Sequence, residues 1–293
     1  MLFSRKIILL LLVCTTSYVF AQEDDASDDG GSVIQNLTPS KLIDKGQFDI
    51  KWFNNLYTQT ESTFSEGREP RQTFFTSTLE GYTGVSDNNR VNVGLILEFK
   101  SNVVGDRDPL DVLKFDGERN TARSGFTSIA PSVKFVPFKK INNFSIQSSV
   151  YIPLVDNEVE DGVFLDQNGY TWQNRFFYDY TFPGNTFQIF GELSTELNVG
   201  DEDDSFANNS LNLNPGIFFS YFPSSKFTVL ALVQHSQRID LGNEFEQDFT
   251  AVGGGAKYQL TDEVNLEALY TNFVRGNNTG LGETFNLGAR FVF

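Results

Sequence analysis

From Gln47 to Phe293 the chain carries no long apolar run and no amphipathic helical stretch. Segments of roughly ten to fourteen residues instead alternate apolar with polar side chains and end in turn-forming residues. Twelve such segments can be marked, at 47–60, 71–84, 90–101, 125–138, 143–155, 169–182, 186–198, 209–222, 226–238, 247–260, 264–275 and 282–293. A period of two means a strand with two unlike faces. Val91, Val93, Leu95, Leu97 and Phe99 share one face against Arg90, Asn92, Gly94, Glu98 and Lys100, with Ile96 the exception. Phe187, Ile189, Leu193 and Leu197 oppose Gln188, Glu192, Ser194 and Glu196, and Trp172, Phe176, Tyr178 and Tyr180 oppose Thr171, Gln173, Arg175 and Asp179. In 226–238 both faces are apolar, since Phe227, Val229, Ala231 and Val233 alternate with Leu230 and Leu232, so the pattern does not choose between them.

The connections alternate too. Short ones at 86–89, 139–142, 183–185, 223–225 and 261–263 lie between longer polar ones at 61–69, 102–124, 156–168, 199–208, 239–246 and 276–281. The longest, 102–124, carries charges of both signs, which suits a solvated loop able to fold into a barrel mouth. Tight turns on one side and longer loops on the other are the pattern of an all-β, antiparallel up-and-down transmembrane β-barrel, here of about twelve strands. A soluble sandwich or lipocalin-like barrel is the competing architecture. It would leave a Phe-rich face in water with no second layer to cover it, whereas lipid solvates that face and closure pairs every backbone group. The last strand puts Phe285, Leu287, Ala289, Phe291 and Phe293 on one face and Asn286, Gly288, Arg290 and Val292 on the other. It resembles the closing strand of bacterial outer-membrane barrels, and the resemblance implies that Phe285, Leu287, Phe291 and Phe293 form the signal read by the barrel-assembly machinery.

Residues 1–21 read as a cleaved secretory signal: Arg5 and Lys6, an apolar core from Ile7 to Val13, then Val19-Phe20-Ala21. That core is too short to span a bilayer as a helix. Cys14 leaves with the signal, so no disulfide or thiol chemistry is expected of the mature chain. The chain has 22 Lys and Arg against 38 Asp and Glu. Losing Arg5 and Lys6 leaves 20 against 38, net −18, which argues against nucleic acid or an anionic membrane surface as partner. Residues 22–46, with acidic positions from Glu23 to Asp29, read as a flexible periplasmic leader. A helical turn is expected from Thr38 to Lys45, and the barrel is placed at 47–293.

Catalysis has little support. His235 is the single histidine, and Ser236 follows it directly, so in a strand the two side chains point to opposite faces. The acidic runs Asp201, Glu202, Asp203, Asp204 and Asp156, Glu158, Glu160, Asp161 lack the spacing of a calcium loop and read as solvated loop surface, so no metal site is assigned. Gly253-Gly254-Gly255 lies inside a strand with no helix after it, which excludes a phosphate cradle and suits relief of curvature or crowding. No cofactor is expected.

What remains is the lumen. Asp49, Lys51, Glu80, Arg90, Glu98, Lys100, Arg175, Asp179, Glu192, Glu196, Lys257, Glu267 and Arg290 lie opposite the apolar faces. Both signs are present, so these residues either line a narrow path or close it as a network. The chain length, the Gln22 start, the strand from Ala130 to Phe135 and the closing Gly288 to Phe293 resemble the family of outer-membrane transporters linked to the phenol meta-degradation pathway. That resemblance implies passive uptake of small, often apolar, solutes. The expectation is a monomeric barrel among outer-membrane lipids, acting as a passive channel or transporter for small solutes. The alternative is a structural or surface-interaction barrel with a closed lumen and functional extracellular loops.

Overall fold

The computed structural model describes residues 39–293; the expected signal peptide and most of the leader lie outside this range. Fourteen strands form: β1 (Phe48–Ser62), β2 (Gln72–Gly84), β3 (Val91–Val103), β4 (Ala122–Phe135), β5 (Phe144–Pro153), β6 (Val159–Glu160), β7 (Val163–Phe164), β8 (Tyr170–Thr181), β9 (Phe187–Val199), β10 (Ser210–Ser224), β11 (Phe227–Asp240), β12 (Gln247–Gln259), β13 (Val264–Asn277) and β14 (Gly280–Val292). Twelve of them close into one antiparallel barrel, while β6 and β7 pair as a separate small hairpin. Closure is made by β1 on β14, with Trp52 opposite Ala289 and Gln59 opposite Gly282. Phe48 N donates to Phe293 O (2.7 Å) and Phe293 N returns a bond to Phe48 O (3.0 Å).

The alternation sorts the two faces. The outer wall exposes Leu95 (50%), Ile217 (63%) and Leu287 (63%) among many apolar side chains, a surface that only lipid covers favourably. Phe285 and Phe293 lie on it too. Its two indole N–H groups are satisfied within the wall, Trp52 by Ser77 Oγ (2.8 Å) and Trp172 by Ser148 Oγ (3.1 Å). The protein is a transmembrane β-barrel of the outer-membrane kind.

The ambiguous strand β11 resolves with Val229 and Val233 outward and Leu230 and Leu232 buried inside. Leu230 and Leu232 lie opposite Gly255 and Gly253 on β12. A Cβ at Gly253 or Gly255 would come within 2.0 or 2.1 Å of a β13 carbonyl oxygen, so the glycines permit close strand approach where two leucines fill the interior.

Four expectations are corrected. The last outer connection is not the longer loop 276–281 but the two-residue turn 278–279, possible because Asn278 adopts a positive φ of 50°. The loop that enters the barrel mouth is not 102–124. It is 154–169, where Val163 and Leu165 are buried and Asp166 reaches Lys100 Nζ at 2.7 Å. The stretch 104–121 instead packs on the outer wall. Finally, 39–46 is neither helical nor loose. Lys45 bridges to Gly84, Ile43 is buried against Val292, and Ser40 Oγ donates to Asp179 Oδ1. Val292 is on β14 and Asp179 on β8, six strands apart in either direction round the ring. The segment therefore crosses the lumen on the side that holds both barrel ends and the short turns, the periplasmic side of such barrels. A Cβ at Gly84 would sit 2.1 Å from Asp44 O, so only glycine lets the segment lie this close.

Candidate functional site: the barrel lumen

In the periplasmic half of the lumen, charges from five strands form one chain of ion pairs. Arg290 on β14 forks onto Asp49 of β1, Nε to Oδ1 at 2.8 Å and Nη2 to Oδ2 at 2.7 Å. Lys51 lies 3.8 Å from Asp49 and 3.7 Å from Glu80 of β2. Arg175 on β8 reaches Glu80 at 3.4 Å and Glu192 of β9 at 2.7 Å. β2 and β8 are four strands apart, so the Arg175–Glu80 contact spans the interior. Lys134 on β4 is buried here as well; its Nζ donates to Lys41 O (3.3 Å) and stands 5.4 Å from the Phe177 ring, with the Arg175 guanidinium 5.0 Å from the same ring. Alternating signs along this chain leave no ring of one charge.

Above the network the inward faces turn apolar. Ile96, Phe177, Phe190, Leu230 and Leu232 are buried, with Phe190 between Phe177 (6.0 Å) and Phe218 (5.4 Å).

Among the described residues, two cavities lie in the extracellular half. One, of about 390 Å³, lies under the inward loop and is lined by Glu98, Lys100, Tyr151, Asp166, Glu196 and Arg238 among others. Ser128 Oγ donates to Glu98 (3.1 Å), Gln173 and Asn212 both donate to Glu196 (3.0 Å each), and Arg238 lies over the rings of Phe206 and Phe245. The other, of about 240 Å³, is lined by Tyr57, Phe74 and Phe273 with Gln59, Gln247 and Thr279 as its polar edge. Phe249 and Phe273 are stacked at 4.2 Å and 8°, and Tyr57 leans on Phe273 at 5.0 Å. Aromatic rings facing inward, beside amide and hydroxyl groups, suit a small planar solute with a polar substituent.

Against the sequence reading, Asp49, Lys51, Glu80, Arg175, Glu192 and Arg290 come together in one network, whereas Glu98, Lys100 and Glu196 belong to the outer cavity. Asp179 holds the crossing segment through Ser40, and Lys257 pairs with its neighbour Glu267 at 2.5 Å. Arg90 stands apart from the lumen network: it lies in the 85–90 turn, where Nη2 donates to Val136 O at 2.6 Å. The sequence reading missed Lys134, although it follows the alternation of Ala130 and Ser132. It also missed Asp166, which lies in a loop with no periodic signal, and it assigned Phe to lipid although Phe74, Phe177, Phe190, Phe249 and Phe273 face inward. His235 and Ser236 do point apart, to Thr250 Oγ1 (3.0 Å) and Asn214 Oδ1 (2.7 Å) respectively.

An outer membrane channel from Pseudomonas putida F1 shares this fold with a TM-score of 0.68 and 11% identity, covering 88% of this chain and 99% of that one. The beta domain of the Bordetella autotransporter BrkA follows at 0.55 and 14%, covering 84% and 99%. No curated protein sequence matches the chain. The family described as "Putative MetA-pathway of phenol degradation" matches residues 22–291, nearly the whole length, and the chain belongs to that family.

Proposed function

We propose that the protein is a passive outer-membrane conduit for small neutral or weakly polar solutes, aromatic ones included. The observation that carries this reading is the aromatic cavity of Tyr57, Phe74 and Phe273 in the outer half of a lumen whose fixed charges neutralise one another. A path for ions of one sign would show a ring of one sign, and Arg175 between Glu80 and Glu192 is the opposite arrangement. The family's description and the similarity in fold to an outer membrane channel support the same reading.

The test is ionic current in planar bilayers and its block by phenol. Wild type should pass a small current, a chain beginning at Lys45 a larger one, and phenol should reduce both. Tyr57→Ala with Phe273→Ala should weaken the block without abolishing the current. Phenol block indifferent to both substitutions sinks the reading. The crossing segment 39–46 favours a second reading, a closed barrel whose loops do the work. It predicts no current from wild type and a current only once the segment is removed.

A further inference from the structure

The stretch 104–121, between β3 and β4, leaves the mouth and folds down the outside of the barrel. It contains one 3-10 helix, Pro109–Leu113, started by Asp108, whose side chain accepts from Leu110 N. A 3-10 helix repeats every three residues, so it presents three distinct faces. Val112 is fully buried against Phe75 and Val103, and Ser101 Oγ donates to Val112 O at 2.7 Å. These partners lie on outward faces of β2 and β3, in line with the lipid-facing Leu79 and Leu95 of the same strands. Asp111 and Lys114 form a second face and pair at 2.7 Å. Leu110 and Leu113 form the third, and both point away from the protein, 62% and 49% exposed. Phe115 follows directly and packs its ring edge-on to Phe99 at 5.4 Å, itself in contact with Phe126 of the lipid-facing wall.

The geometry points to an interfacial wedge: the 3-10 segment inserts Leu110, Leu113 and Phe115 among the acyl chains of the outer leaflet, just below its headgroups. Three observations select lipid rather than another protein or a phosphate group. The exposed apolar face is continuous through Phe115, Phe99 and Phe126 with the wall that lipid already covers. The basic groups of the segment already have carboxylate partners, Arg107 with Asp111 (3.1 Å), Asp116 (2.5 Å) and Glu118 (3.2 Å), Lys114 with Asp111 (2.7 Å) and Arg119 with Asp161 (3.2 Å), so no headgroup anion is needed to neutralise them. Elsewhere on the outer rim the wall carries charge, with Asp248 and Arg275 paired at 2.7 Å. An apolar projection at this height therefore sits at the boundary between chains and headgroups, where amphipathic elements gain most from burial.

The test uses single-cysteine variants of the full barrel in a Cys14→Ser background, labelled with an environment-sensitive fluorophore. They are reconstituted in phosphatidylcholine vesicles with or without lipid bearing a nitroxide high on its acyl chain. Labels at Leu113→Cys and Leu110→Cys should lose fluorescence severalfold more than one at Glu66→Cys in another outer loop, and about as much as one at Leu95→Cys in the wall. Either leucine position suffices if the other variant does not fold. Quenching no greater than at Glu66 overturns the proposal. So does a label shielded from both the nitroxide lipid and an aqueous quencher, the result expected if another protein covers the face.

Discussion

Replacing Arg290 by Met removes the cation that holds both oxygens of Asp49 while keeping much of the side-chain volume. The Asp49 and Arg290 side chains are only 6% and 13% exposed, so the carboxylate left behind cannot recover its hydration. Removing one partner of a buried pair costs about 3–5 kcal/mol, and a Coulomb estimate of about 4 kcal/mol at 4 Å with an effective dielectric of about 20 agrees. Lys51, 3.8 Å from Asp49, offers partial relief, but it also serves Glu80 at 3.7 Å. The lower end applies, about 3 kcal/mol, or roughly a hundredfold in the folding equilibrium. Equilibrium urea unfolding in phospholipid vesicles, followed by the fluorescence of Trp52 and Trp172, reads this directly. Adding Asp49→Asn should restore much of the loss, because the stranded charge and not the missing contact is its main source. A loss below about 1 kcal/mol, the range of exposed pairs, would mean that the interior is wet and the reasoning wrong.

Gly253→Ala should cost about 1–3 kcal/mol in the same assay, since its Cβ would lie 2.0 Å from Tyr270 O, whereas Gly81→Ala, with open space at its Cβ, should be close to neutral. In the outer loop, hydrogen bonds from Lys114 and Arg107 hold Asp111 below the usual carboxylate range, and Arg107 does the same for Asp116. A depressed folded pKa gives stability that is present above the unfolded value, about 3.9, and lost as pH falls through the folded one. Protease protection of 104–121 should therefore hold from pH 7 to 5 and fail only under stronger acid; loosening above pH 5 would contradict the ion-pair account. Deleting Phe293 removes two backbone bonds to Phe48 and a ring contact at 5.8 Å. It should cost about 1–2 kcal/mol after refolding but reduce insertion in cells far more, and equal losses would make the residue a packing element only. An epitope beside Gly117 should be labelled on intact cells and one at Asp87 should not, the reverse result inverting the topology.

Much of the barrel was legible in the chain, because strand and turn are local properties. The seventh expected strand, 186–198, is found as β9 at Phe187–Val199; Gln188 and Ser194 point in while Phe187 and Leu193 point out, as the pleat requires. The errors in the connections fall where periodicity carries no signal. The two-residue turn at 278–279 depends on one backbone angle at Asn278. The inward course of 154–169 depends on the burial of Val163 and Leu165, on Asn102 Nδ2 donating to Phe164 O (2.7 Å) and Leu165 O (3.0 Å), and on Asp166 pairing with Lys100. The outward course of 104–121 depends on Val112 finding a gap over Phe75 and Val103. Asp166 and Lys100 are far apart in sequence, as are Val112 and Phe75.

Alternation and turn spacing by themselves determined that the chain forms about twelve antiparallel strands with one apolar and one polar face, and that the apolar face belongs to lipid. A pleated strand has no other way to place such residues. Only the tertiary structure decided what fills the interior. Arg175 meets Glu80, Ser40 meets Asp179 and Tyr57 leans on Phe273 because closing the ring brings segments of distant sequence face to face. For the same reason Leu230 and Leu232 point inward: both faces of β11 are apolar, and the glycines opposite them on β12 make the room.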